Sequence, residues 1–138
     1  MAVNLTRAKV GDLLPEVVFG PYTRKLFALY AGASGDHNAI HIDSDFARAS
    51  GAGDVFAQGM LSMAPYARVV TDWAGIDRLE SLETRFMAIT PLGVTSRFTG
   101  RVVESFEENG IAKLRVALAA HIDGDVQTLG GEAVVRAD

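Results

Sequence analysis

Residues 59 to 73, GMLSMAPYARVVTDW, carry Met60, Leu61, Met63, Ala64, Ala67, Val69 and Val70 at positions that nearly encircle a helix. A surface helix shows a single apolar stripe, so a helix that is apolar almost all round has to be enclosed. The C-terminal half of the chain supplies the enclosure. From Leu82 the period falls to two. Leu82, Thr84 and Phe86 alternate with Glu83 and Arg85, and Val94, Ser96, Phe98 and Gly100 alternate with Thr95, Arg97, Thr99 and Arg101, the pattern of strands with one solvated face. Turns at Glu107-Glu108-Asn109-Gly110 and Asp123-Gly124-Asp125 divide two further strands, 111–120 and 126–137, into hairpins. Ahead of the helix, Leu13 to Phe19 reads as an edge strand stopped by Gly20-Pro21. Thr23 then caps a short helix carrying Leu26, Phe27, Leu29 and Tyr30, with Gly32 as its C-cap, and Asp43 or Ser44 starts another over Asp45 to Ser50. The expectation is an α+β domain, its antiparallel sheet wrapped around one buried helix. No repeat or linker interrupts the plan, so residues 1–138 are expected to form one domain.

Composition excludes several functions. The net charge is -4 with 13 Lys and Arg residues scattered along the chain, which argues against a nucleic-acid partner. No cysteine is present, which removes disulfides, thiolate nucleophiles and thiolate metal ligands together. The start, MAVNLTRAKVGD, has no apolar signal-peptide core, and no apolar run approaches the ~20 residues a bilayer demands. A cytoplasmic protein without membrane insertion is expected.

Chemistry concentrates in SGDHNAIHID, residues 34 to 43. Were this stretch helical, Asp36 and His41 would lie about 140° apart and could not act on one atom. Gly32, Gly35 and Asn38 tolerate φ > 0 and favour a compact non-helical turn, in which both side chains can reach one small molecule. Imidazole, with a reference pKa of ~6.5, supplies a base at neutral pH, and Asp at ~3.9 supplies a charged partner. Together they are able to activate a water. The other reading makes Asp36 and Asn38 turn-forming residues and His41 a satisfied, half-buried side chain. Residue chemistry alone leaves both open.

Other constellations carry less. His37 and His41 have the i, i+4 separation of a helical zinc pair, but the glycine and asparagine between and before them oppose a helix and no HExxH string completes a site, so no metal is expected. Gly32-Ala33-Ser34-Gly35 follows a helix and is not a dinucleotide fingerprint. His121 reads as a solvated strand end, and Met60 and Met63 as core residues more than a ligand surface.

The string Tyr30-Ala31-Gly32-Ala33-Ser34-Gly35-Asp36-His37-Asn38-Ala39-Ile40-His41, with Ala47 six positions on, resembles the hydratase motif of MaoC-like (R)-specific enoyl hydratases and dehydratases. Gln58-Gly59-Met60-Leu61 is similar to that family's string at the start of its central helix, and Gly131-Glu132-Ala133-Val134-Val135 to its last strand. The spacing around Asp36 and His41, with VVTDWAG at 69–75, is similar to the catalytic subunit of mycobacterial-type (3R)-hydroxyacyl-ACP dehydratases. The resemblance implies a hot-dog fold, no cofactor, an acyl thioester of CoA or acyl carrier protein as substrate, and a homodimer or a heterodimer with another hot-dog subunit. It further implies that His41 and Asp36 hold the attacking water, with His41 as base. Which of the two delivers the C2 proton it leaves open. The Gly59 backbone N–H would face the thioester oxygen, Gly35 and Asn38 would shape the loop, and Ser62, Met63 and Tyr66 would line the acyl pocket. Three positions depart from the pattern: Ala39 replaces a proline, Ala33 a larger aliphatic, and Gln58 a histidine. A non-catalytic acyl-binding subunit and a thioesterase are the alternatives on the same fold.

Overall fold

The computed structural model describes residues 3–138; Met1 and Ala2, which begin the segment read for a signal peptide, lie outside them. Strand β1 (Val17–Phe19) is followed by helices α1 (Arg24–Ser34), α2 (Ser44–Ala49) and α3 (Gly59–Ala74), and then by β2 (Leu79–Leu82), β3 (Arg85–Phe86), β4 (Ser96–Glu108), β5 (Ile111–Ile122) and β6 (Val126–Arg136). The strands form one antiparallel sheet in the order β1-β4-β5-β6-β2, with β3 also on β6. This is the α+β wrap around one long helix that the hot-dog expectation requires.

The enclosure of α3 is partial, since Met60, Ala64, Arg68 and Asp72 stay exposed along one face of the helix while the opposite face is covered. Tyr66, Val69, Val70 and Ala74 bury against Phe98, Val102, Val116, Ala133 and Val135 of the sheet, each large apolar side chain contributing about 1.5–3 kcal/mol on removal from water. A second, smaller cluster joins Tyr22, Phe27, Ala47, Val55, Ala57 and Leu61 beneath α1 and α2. The first turns of α3 lie between the two.

Local signals account for most boundaries. The Thr23 hydroxyl caps α1 by accepting from Leu26 N, and Asp43 caps α2 by accepting from the N–H groups of Asp45 and Phe46. Asn109 and Gly110, at φ 53° and 77°, form the left-handed two-residue turn whose twist matches the β4–β5 hairpin.

Some expectations need correction. Helix α1 runs past Gly32 and ends at Gly35, which takes φ 79° while its N–H reaches the Ala31 carbonyl; the Schellman-like stop falls where the left-handed residue is used, and Gly32 stays helical. Only Val17 to Phe19 of the 13–19 segment pairs as a strand, Leu13 making one isolated bridge to Arg101, because Pro15 between them has no N–H to give. The expected 82–86 strand is two pieces, β2 and β3. Strand β4 extends seven residues beyond Arg101, through a register irregularity between Val102 and Glu104 that breaks the alternation.

Candidate active site

The loop after α1 is built from short side-chain-to-backbone bonds. Ser34 Oγ accepts from Asp36 N, Asp36 Oδ1 from Asn38 N at 3.3 Å, and Asn38 Oδ1 from Ile40 N at 3.1 Å, delivering the chain into a 3-10 turn over Ala39–His41. The turn-forming roles considered for Asp36 and Asn38 are therefore present. They coexist with the pairing of the two ionisable groups, because Asp36 spends one oxygen on the turn and turns the other, Oδ2, to His41 Nε2 at 3.7 Å.

His41 is held from behind. Its Nδ1 lies 2.8 Å from the carbonyl oxygen of Phe56, which only accepts, so in the neutral ring the proton sits on Nδ1 and the Nε2 lone pair faces Asp36. The edge of the imidazole also meets the Phe56 ring, centroids 5.2 Å apart at 88°. The His41 side chain is 11% exposed and that of Asp36 46%, so a fixed, mostly covered base opposes a wetter carboxylate. At 3.7 Å the pair is too far apart to bond directly. An oxygen 2.8 Å from both would see them at an angle of about 80°, within the reach of one shared water.

Asp36 and His41 border a cavity of about 510 Å³ that also touches Gly59, Ser62, Phe86 and Leu129. The N-terminus of α3 enters it. Gln58 caps that helix without a side-chain bond, the first N–H groups of any helix lack intrahelical acceptors, and Gly59 and Met60, which begin the helix at the positive end of its dipole, both line the cavity. A Cβ on Gly59 would come 2.8 and 2.9 Å from two Phe86 ring carbons.

Of the residues expected along the acyl pocket, Ser62 lines the cavity, its hydroxyl bonded to buried Tyr22 OH at 2.8 Å. Burial pushes the Tyr22 phenol pKa up, which keeps this pair neutral. Met63 and Tyr66 do not line it. Met63 is half-buried against the main core. Tyr66 is fully buried and donates to the Glu83 carbonyl at 2.8 Å, and Gly131 of β6 closes on its hydroxyl; two turns along α3 the sheet already seals the space.

Sequence reasoning missed the rest of the wall. Phe86, Met87, Ala88, Ile89 and Thr90 form a strap along the cavity, signalled only by the apolar run Phe86 to Ile89 ahead of Thr90-Pro91. The Phe56 carbonyl gave no signal, since any residue has one. Its own segment is anchored by Asp54, which accepts from Ser44 Oγ and Val55 N at 2.7 Å each and pairs with Arg24 at 2.6 Å and Arg48 at 3.4 Å. The Ser44 hydroxyl, then the Val55 amide, then the two guanidiniums hold its carboxyl down to about 2. Among the described residues no group of three or more His, Asp or Glu is placed to hold a metal ion, and no helix is long and apolar enough to cross a membrane. His37 lies outside the cavity wall, and His121 opposes Arg97 in the β4–β5 ladder.

Comparison with known proteins agrees with this fold. The unliganded R-hydratase PhaJ1 from Pseudomonas aeruginosa superposes with a TM-score of 0.83 at 25% identity, over 97% of this chain and 84% of that one. The ChsH1-ChsH2 complex from Mycobacterium tuberculosis gives 0.79 at 23% identity over 93% and 97%. The (R)-hydratase from A. caviae involved in PHA biosynthesis gives 0.82 at 18% identity over 96% and 98%. The latter two speak for the fold alone. No curated protein sequence matches the chain significantly. Residues 15–121 match the MaoC-like domain family, most of the 138-residue chain, which makes the protein a member of that family.

Proposed function

We propose that the protein is a hydro-lyase that interconverts trans-2-enoyl thioesters and (R)-3-hydroxyacyl thioesters by reversible addition of water. The observation that carries this reading is the 3.7 Å separation of Asp36 Oδ2 and His41 Nε2 beside the uncapped N-terminus of α3, in one cavity. A water held between the two gives a proton to His41 Nε2 as its oxygen bonds to C3 of the enoyl group. The π electrons move toward C2 and the thioester carbonyl, whose growing negative charge meets the Gly59 N–H. C2 then takes a proton from the Asp36–His41 pair, and the site returns to its starting state with one water consumed. The reading fits the R-hydratase neighbours and the membership in a MaoC-like dehydratase family, and it needs no cofactor.

The acyl tail is assigned to the space between Ser62 and the 86–90 strap. The assembly in this reading is a dimer, with a second copy or with another hot-dog subunit. Met60, Phe86, Met87 and Ile89 at the rim, 54–56% exposed, are the residues such a partner would cover.

The test is hydration of trans-2-enoyl-CoA, followed as loss of the conjugated thioester absorbance. Asp36→Asn and His41→Ala are each expected to lower kcat/KM by about 10²–10⁴-fold with unchanged Tm. Wild-type activity in either variant would sink the proposal. Release of free thiol, read with a thiol-reactive dye, would replace it with a thioesterase.

A further inference from the structure

Gln58 is fully buried. Its Nε2 donates to the Phe27 carbonyl at 2.9 Å, across 31 positions of sequence, while its Oε1, equally buried, meets no donor among the described residues. As a packing element this is a poor choice. An unpaired buried oxygen costs more than one neutral hydrogen bond returns, and an apolar side chain of the same length would avoid both. The Phe27 oxygen does not depend on Gln58 either, since it lies inside α1 and has the helical N–H of Ala31 to accept.

What the amide supplies is a directional tie between two elements. Phe27 sits in α1, the helix that ends at Gly35 and hands Asp36 to the cavity; Gln58 immediately precedes Gly59, which presents the first N–H of α3. We infer that Gln58 is a positioning residue that locks the helix delivering Asp36 to the helix end delivering the Gly59 amide. It touches neither substrate nor reacting atoms. Its role is to keep the carboxylate and the oxyanion donor in one register, at a cost in stability. This deepens the hydratase reading and rests on it for the kinetic arm of the test.

Gln58→Met removes the tie and the unpaired oxygen together, and Gln58→His restores a ring N–H with reach to the same carbonyl. In the full-length protein, Gln58→Met should keep or raise Tm while kcat falls about 10- to 100-fold with KM little changed, the loss expected from a sub-ångström to 1 Å misplacement of catalytic groups. Gln58→His should recover most of that kcat. Without substrate, the backbone amide resonances of Gly59 and of Asp36 to Asn38 should move together in Gln58→Met. The inference is overturned if Gln58→Met keeps wild-type kcat, or loses Tm with kcat intact, or shifts only resonances within α3. If the wild type hydrates no enoyl thioester, the hydratase reading falls, and the paired amide shifts still decide whether the tie exists.

Discussion

Replacing Gly59 by alanine separates two reasons for a glycine at the head of α3. The Gly59 backbone has no left-handed φ, so the new methyl group is tolerated by the main chain, and its only conflict is with Phe86, at 2.8 and 2.9 Å. Phe86 is 55% exposed on the single chain, which leaves it room to swing outward there. Of the ~200 Å² a phenylalanine side chain offers, about 90 Å² would be uncovered, costing at most about 2 kcal/mol. The gain of an alanine over a glycine in a helix offsets this by about 0.5–1 kcal/mol, for a net loss near 1 kcal/mol and a Tm drop of about 3–5 °C in a domain this size. If the gap exists for Phe86 alone, Gly59→Ala/Phe86→Ala recovers the kcat/KM of Phe86→Ala. If it exists so that a thioester oxygen can approach the amide, the methyl group still blocks that approach, and kcat/KM stays about 10²-fold or more below Phe86→Ala, in the range for loss of an oxyanion donor. Thermal melts and the enoyl-CoA hydration assay on wild type, both single variants and the double variant resolve the two. Full recovery in the double variant would refute the oxyanion assignment of Gly59.

Gly131→Ala would drive its methyl into the Glu83 carbonyl and the Tyr66 hydroxyl, where β6 has no room to yield, and should destabilise by about 1–3 kcal/mol as overpacking does; an unchanged denaturant midpoint would contradict the sealed pocket end. Asp54, held down to about 2 chiefly by the Ser44 hydroxyl, is a group whose folded value is depressed. Its ionised form therefore stabilises the fold above the unfolded carboxyl value of ~3.9 and loses that effect as the pH falls toward 2. Between about pH 4 and 2 the Tm of Asp54→Asn should accordingly fall less steeply than that of the wild type, and parallel curves would count against the anchor. Nitrogen chemical shifts of His41 should report the neutral tautomer with the proton on Nδ1; a proton on Nε2 would deny the ring its assigned role as base.

The features legible in the sequence are those carried by side chains. An apolar girdle announces α3, Asn109-Gly110 announces the hairpin, and the Asp36 and His41 spacing announces a shared site once the stretch is taken as a loop. Backbone contributions leave no trace. The Phe56 carbonyl that sets the histidine tautomer, and the free amides of α3, exist for any sequence that folds this way. Strand β4 reads short in the sequence because Val102 and Val103 fall side by side at its irregular register, which erases the period of two just where the strand continues. Met63 and Tyr66 look like pocket residues because helical spacing specifies a face but not the depth at which another element closes over it; that closure depends on Gly131, 65 positions after Tyr66.

The two separate hydrophobic clusters have a practical consequence for anyone scanning this protein by mutation. The smaller one, around Phe27, Val55 and Leu61, underlies the loops that bring Asp36, His41 and the Phe56 carbonyl together, whereas the larger one holds the sheet to α3. Partial opening of the smaller unit costs less than global unfolding, so a cavity made there would abolish turnover while the bulk of the molecule still melted normally. Damage of that kind would imitate loss of a catalytic group, and only amide exchange resolved by region would unmask it.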